Sequence, residues 1–302
     1  MSPLYPGNIR HNDLMAIGTI LLCYFIFSVA DASIKYVSPH FETVVILFWD
    51  AFFSVVCMGI YVSFKGGVKT LKTNKLKYHV FKSIVGIAIG LVVIYALRNT
   101  TLSEYYLMVF TTPIWVVLFA RLMMKEKLTP FRTAVILSGF GVILYVFMPQ
   151  GRLVIDMGML AALLVALLAG FIMIFVRQYL KGEPPALLGG FNALAIVLIL
   201  AVVAIPKTTS EILWAMPYLA LVGICIFSSN ILLAKAFHMV SLSAILAPFH
   251  YSQMIYGVLM GYFLFAEIPT SRTIIGSLAL VFIGLALFWY DYNNNKNLKR
   301  YA

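Results

Sequence analysis

The chain has 302 residues, of which 62% are hydrophobic and 11% charged; a soluble domain carries about 25% charged residues. Composition therefore excludes a soluble fold, makes lipid the solvent, and leaves no polar stretch long enough for a separate soluble domain. The net charge of +11 would suit a nucleic-acid binder, but the basic residues fall between apolar runs, the distribution that orients membrane spans, so nucleic acid is excluded as a partner.

In chain order the apolar runs cover 14–35, 41–63, 80–98, 104–124, 131–149, 157–177, 186–205, 212–234, 241–265 and 272–290. Each is near the roughly 20 residues that cross a hydrocarbon core. The runs are continuous rather than alternating, which selects helices over barrel strands. The expected fold class is an all-α integral membrane protein of ten transmembrane helices. One arginine precedes the first run, and no small-residue cleavage site follows it, so that run is expected to remain a span rather than a cleaved signal. With the N-terminus placed in the cytoplasm, 17 of the 22 Lys and Arg residues fall on that side and 5 on the other, which puts both termini inside. The lysine-rich link at 65–82 is read as a topology anchor. Five spans per half is an odd number, so the second half enters from the opposite face. Two inverted five-helix repeats follow, at 1–152 (spans 1–5) and 153–302 (spans 6–10).

The fourth span of each half carries a matched motif. The first runs ALRNTTLSEYYLMVFTTPIWVVLFARLMMKEKLTP from Ala96, and the second AFHMVSLSAILAPFHYSQMIYGVLMGYFLFAEIPT from Ala236. Each has a basic residue in a short turn (Arg98, His238), a proline inside the following apolar run (Pro113, Pro248) and a glutamate at its end (Glu126, Glu267). The spacing from alanine to glutamate is 30 residues in one and 31 in the other. A membrane chain built as a duplication is the plan of a carrier whose site lies between the halves.

These segments, YALRNTTLSE and TTPIW in the first half and the APFHY-to-AEIPT stretch in the second, resemble the EamA branch of the drug/metabolite transporter superfamily over nearly the whole chain. The resemblance implies an alternating-access carrier with a central cavity. It implies an inner-membrane bacterial protein that moves a small polar metabolite, such as an amino acid or a derivative like S-adenosylmethionine. An amino-acid or drug efflux carrier of the same family is the alternative. DASIKYV, LLAKAFHMV and APFHY are most similar to S-adenosylmethionine uptake carriers of intracellular bacteria. Such carriers commonly have an arginine partway along the second span, where this sequence has Asp50 in WDAFF.

Polar residues inside the spans are the candidates for function. Asp50, beside Trp49, is expected near the middle of span two, where a lone carboxylate must face a cavity or a partner. It can bind an ammonium or sulfonium, take up a proton, or pair with Arg98 or Lys35. Asp31 and Lys35 share one face near the end of span one, at a spacing that allows either a local pair near the outer mouth or contact with substrate. Arg98 and Glu104 bracket the short turn before span four, as a helix-end pair, a cap or a gate. Pro113 frees backbone carbonyls beside Thr111, Thr112 and Trp115. His250, Tyr251 and Gln253 form a polar cluster in span nine. Asn192 and Asn230 are substrate contacts or polar links between helices. Tyr95, Tyr105, Tyr106 and Trp115 can stack on a planar ring or cap a cation. Gly86 with Gly90, and Gly257 with Gly261, mark close helix packing. Glu126 and Glu267 need basic partners at their helix ends, Glu126 from Lys127 or Arg132 and Glu267 from Arg272.

The three cysteines lie in apolar runs without metal spacing, and neither a metal nor a cofactor is expected. The absence of HExxH and P-loop motifs argues against a membrane enzyme and against direct ATP drive. A sensor or assembly subunit without transport is the remaining alternative. The partners expected are the bilayer, a small-molecule substrate, and protons or a counter-substrate, with a monomer or homodimer as the working unit.

Overall fold

The computed structural model describes residues 11–65, 67, 72–125, 129–147, 156–239 and 247–298. Glu126, most of the 149–156 link between the halves, and the side chains of His238 and Pro248 lie outside what it describes. Eleven α-helices make up the described chain: α1 (His11–Val37), α2 (Thr43–Phe64), α3 (Leu76–Asn99), α4 (Leu102–Val109), α5 (Thr112–Met124), α6 (Pro130–Phe147), α7 (Met157–Tyr179), α8 (Pro185–Lys207), α9 (Met216–Met239), α10 (Ser252–Phe265) and α11 (Ser271–Leu298). Two 3₁₀ turns, Ser210–Trp214 and Ala247–Tyr251, precede α9 and α10.

Eleven helices correspond to ten spans because span four is broken into α4 and α5. Seven segments, counting Leu102–Met124 as one, are long and apolar enough to cross a membrane. Thr133–Phe147 and Ser271–Leu287 are shorter apolar helices, and α10 with its preceding turn completes the set.

The break has a local cause. Thr101 and Glu104 form a capping box: Thr101 Oγ1 accepts from the Glu104 N–H at 3.2 Å, and Glu104 Oε2 accepts from the Thr101 N–H at 3.0 Å. Eight residues later the helix stops, because Pro113 cannot continue it and instead sits in the first turn of α5. The carbonyls freed at the break do not stay open: Thr111 Oγ1 donates to Met108 O at 2.7 Å and Thr112 Oγ1 to Val109 O at 2.5 Å. At the equivalent place in the second half, the 3₁₀ turn at Ala247–Tyr251 leads into α10. Lys125 and Ala266, which end α5 and α10 in the left-handed region (φ 56° and 53°), are the non-glycine residues with positive φ among those described. Each directly precedes a motif glutamate.

The halves interleave. Helix α1 packs along α9, α2 lies against α8 and α9, and α3 against α7 and α8; α4 meets α7 and α10, and α6 meets α11. Small residues permit the closest approaches. A Cβ at Gly257 of α10 would overlap the Tyr106 ring, one at Gly284 of α11 the Tyr251 ring, and one at Gly86 of α3 the Asn192 side chain. Gly141 of α6, by contrast, has nothing within 4 Å of its Cβ position. Overpacking costs about 1–3 kcal/mol, while relieving glycine of its backbone freedom gains about 0.5–1 kcal/mol. Gly257→Ala is therefore expected to lower the thermal midpoint of the detergent-solubilised protein and Gly141→Ala to leave it unchanged or raised; equal effects would show that the Tyr106 notch is not tight.

Candidate functional site

Tyr24, Ser28, Asp31 and Lys35 recur on α1 at the spacing of a single helix face. That face looks onto α4, α10 and the 3₁₀ turn that precedes α10. At its centre the Tyr106 hydroxyl of α4 donates to Asp31 Oδ2 at 2.7 Å and lies 3.1 Å from Ser28 Oγ. Tyr106 is fully buried and held against Gly257, so its hydroxyl has little freedom to leave Asp31. No protein group bonds the second oxygen of Asp31 among the described residues, and the side chain is only partly buried. One carboxylate oxygen is thus fixed and the other is available to a ligand.

Below this carboxylate lies an aromatic group. Tyr24 stacks on His250 with centroids 5.0 Å apart, and Phe110, at the break between α4 and α5, meets the edges of His250 and Tyr251 at 5.8 and 5.2 Å. Gln253 is buried beside His250. Flat ring faces next to a carboxylate suit a ligand that is planar at one end and cationic at the other.

Above Asp31 the same face is closed. Lys35 Nζ pairs with Glu267 Oε1 at 2.9 Å, the two side chains being 13% and 12% exposed. The ammonium also donates to Leu97 O and Thr100 O at the end of α3. Glu267 Oε2 accepts from the Leu102 N–H at 2.9 Å, so it caps α4 from outside that helix. One ion pair joins α1, the α3–α4 turn and the α10–α11 link.

This arrangement corrects four expected pairings. Lys35 bonds Glu267 rather than Asp31, because Asp31 is occupied by Tyr106. Arg272 is not the partner of Glu267: its guanidinium donates to Tyr145 O at 3.0 Å and lies over the Tyr145 ring. Arg98 does not pair with Glu104, which is used in the cap; Arg98 donates to Phe41 O at 2.5 Å. Neither Lys35 nor Arg98 is therefore available to Asp50, which lies about a third of the way into α2, 4% exposed and without an ion pair among the described residues.

The structure groups His250, Tyr251 and Gln253, links them to Asp31 through Phe110 and Tyr106, and sets the other candidates apart. Trp49 Nε1 donates to Thr208 Oγ1 at 3.2 Å, and Trp49 lines a crevice of roughly 440 Å³ with Phe48, Phe52, Ile205 and Thr208. No ionisable group lines that crevice, whereas the α1 face carries Asp31 and Lys35. Tyr95 is 43% exposed on the outside of α3. Trp115 packs against Gly170 of α7 and donates to Thr111 Oγ1 at 3.2 Å; Thr112 is buried at the break. Asn230 Nδ2 donates to Ile226 O of its own helix at 2.8 Å, and Asn192 is wedged at Gly86. Sequence reasoning missed Tyr24, Ser28 and Phe110, although the first two extend the Asp31–Lys35 face by two turns.

The model of the EamA-like transporter family matches residues 14–148 and again 156–290. Curated relatives include a riboflavin transporter of Brucella anthropi, 24% identical over 84% of this chain and 90% of its own length. S-adenosylmethionine uptake transporters of Rickettsia bellii and Rickettsia felis are each 25% identical, over 88% and 95% of this chain and 91% and 96% of their own lengths. A solved structure described only as a crystal structure of a protein has a TM-score of 0.56 at 17% identity, covering 91% of this chain and 96% of that one, a likeness of fold.

Removing one partner of a buried ion pair costs about 3–5 kcal/mol, and residual exposure reduces this to about 2 kcal/mol here. Lys35→Met should lower stability by about that amount, and adding Glu267→Gln should recover part of it. Additive losses in thermal unfolding would show that the two side chains do not act as a pair.

Proposed function

The chain belongs to the EamA-like transporter family, and from that premise we propose that it is a secondary carrier for a small metabolite bearing a cationic group next to a planar ring. Asp31 carries this reading: a carboxylate inside a membrane helix, six residues from its end, with one oxygen tied to Tyr106 and the Tyr24–His250 stack two turns along the same face. An amino-acid derivative such as S-adenosylmethionine has the matching parts, a sulfonium and an ammonium beside a purine. Its name on the Rickettsia relatives supports the choice. Riboflavin, named on the Brucella relative, offers the ring without the cation.

The transport cycle proposed is alternating access between two inverted repeats. Both termini lie in the cytoplasm of a bacterial cell, which makes the Lys35 end the outer end. The bundle is closed there by Lys35 and Glu267. Opening breaks that pair, uncaps α4 and lets α4 and α5 turn about the Phe110 break and α10 about the turn that ends at Tyr251. Arg98 and Glu104 hold the neighbouring turn while this happens.

A cationic ligand's bond to a carboxylate contributes about 1.5–3 kcal/mol, a factor of about ten to a hundred in affinity. In proteoliposome counterflow with labelled S-adenosylmethionine, Asp31→Asn is expected to lose affinity by that factor while keeping the Tyr106 contact and normal expression. Tyr106→Phe should lose several-fold. Saturable riboflavin exchange that ignores Asp31→Asn, with no exchange of S-adenosylmethionine, would overturn the cationic reading. No exchange of either compound would overturn the substrate class as a whole.

A further inference from the structure

A second set of buried polar groups lies away from the α1 face, on α2, α3 and α8. Asp50 is one. Its backbone carbonyl abuts Gly223 of α9, where a Cβ would stand 2.5 Å from it, and Ser54, one turn on, donates to Gly223 O at 2.9 Å. The backbone is pinned, and the carboxyl, which accepts from the Ala51 N–H of its own helix, has neither an ion pair nor a hydrogen bond to another side chain among the described residues. The charged and titratable groups on the helices packed against α2 are engaged elsewhere or distant. On α8, Lys207 bonds Glu42 at 2.6 Å. On α3, Lys77 lies over the Tyr78 ring, Lys82 donates to Leu188 O, Arg98 is bonded to Phe41 O, and Tyr95 is exposed. On α9, Tyr218 packs with Tyr36 and Trp214, Cys225 is a buried thiol, and Lys235 is three turns along from Gly223.

The other members are bare polar atoms on the α3–α8 seam. His79 is 1% exposed; its Nε2 bonds Glu183 Oε2 at 3.1 Å in the α7–α8 link, while its Nδ1 is buried without a partner. Burial pushes the Glu183 carboxyl up, but hydrogen bonds from His79 and Thr73 and the charges of His79 and Lys75 outweigh it and hold the group below the usual carboxylate range. Glu183 thus accepts from the His79 N–H at Nε2, and Nδ1, buried on the other side of the ring, is a donor when the ring is charged and a bare acceptor when it is neutral. One turn along α3, Ser83 Oγ is buried without a partner. Another turn on, at Gly86, the Asn192 side chain fills the notch and its Oδ1 is also unpartnered. The next notch, at Gly90, holds Leu47 of α2, and Asp50 follows Leu47 by one turn on the same side of that helix.

An unpartnered buried polar atom costs about 1–3 kcal/mol, and native interiors contain few. Three on one seam, two of them acceptors and one a rotatable hydroxyl, fit water as the missing donor. An imidazole that meets a carboxylate at one nitrogen and such a seam at the other passes a proton in two balanced steps: the charged ring releases the Nδ1 proton to the seam and keeps the one on Nε2, and a ring flip then turns bare Nδ1 to protonated Glu183, which recharges it. A carboxylate deep in the bundle without a counter-charge is an acceptor for that proton. We propose that Asp50 is the proton site of the carrier, loaded from the end of the bundle holding both termini through Glu183, His79, Ser83 and Asn192. Only a proton moves; no bond to carbon forms or breaks. The role proposed rests on the transport reading, with substrate at Asp31 and proton at Asp50.

Two measurements on the full chain test it. Infrared titration of the purified protein should show a carboxylic-acid C=O band that disappears with rising pH and is missing in Asp50→Asn, a readout that needs no substrate. In proteoliposomes with labelled S-adenosylmethionine, Asp50→Asn should keep equal-pH counterflow within about twofold of the parent and lose accumulation driven by a pH gradient. Asp50→Glu should restore part of that accumulation, and Ser83→Ala with Asn192→Leu should slow it at least fivefold. A titrating band that survives Asp50→Asn, gradient-driven accumulation in that variant, or loss of counterflow together with accumulation overturns the proposal. If the parent protein exchanges no S-adenosylmethionine, the substrate reading fails, and the infrared band alone decides the proton site.

Discussion

The ammonium of Lys35 is the point on which one end of the bundle depends. Charge inside an apolar medium is tolerated only where it is answered, and here a single cation answers a carboxylate and two helix-end carbonyls at once. Its partner Glu267 then answers a backbone N–H at the start of α4. Neither residue serves its own helix. The pair turns the loose ends of two helices, the last carbonyls of α3 and the first N–H of α4, into one closed cap. The position of Asp31, one turn beneath, and of Tyr106, one turn into α4, follows from where that cap holds α1 and α4.

The break in span four plays the complementary part. A continuous helix would carry Tyr106 and Trp115 on one rigid rod. By stopping at Phe110 and restarting at Thr112, the chain aims Tyr106 at α1 and α10 while Trp115 packs on α7. Two threonine hydroxyls absorb the carbonyls that the break releases, which lets an interruption persist away from water. The polar face of α1 then meets half-helix ends from both halves of the chain, Phe110 from the first and His250 from the second.

The span count, the duplication and the matched glutamates were legible in the sequence, because each is a local property: run length, periodicity, or a motif at fixed spacing. The pairings were not. Asp31 and Lys35 stand at a spacing that favours a local pair, and nothing local reveals that Tyr106, 75 residues on, takes the first and Glu267 the second. Of the readings open for Arg98 and Glu104, Glu104 takes that of a cap, with Thr101, and the helix-end pair does not form: the capping box outcompetes a flexible guanidinium. Tyr24 and Ser28 carry no motif. What marks them is the face they share with Asp31, a face that becomes meaningful once broken helices are seen opposite it. Asn192 and Asp50 were legible as polar residues in apolar runs, but that one is wedged at Gly86 and the other lies against α9 is tertiary information.

The interleaving of the halves bears on how the protein is made. Helices α1, α2 and α3 find their main partners in α9, α8 and α7, helices that emerge from the ribosome well after them. Until then Lys35 has no Glu267 and Asp31 has a neighbouring tyrosine but no enclosing wall. The first five spans therefore enter the bilayer with polar faces that only later chain can cover, and the nascent half must be sheltered by the insertion machinery or by its own provisional contacts. Biogenesis of this duplicated chain is a wait for its second copy, even though each copy is long enough to span the membrane alone.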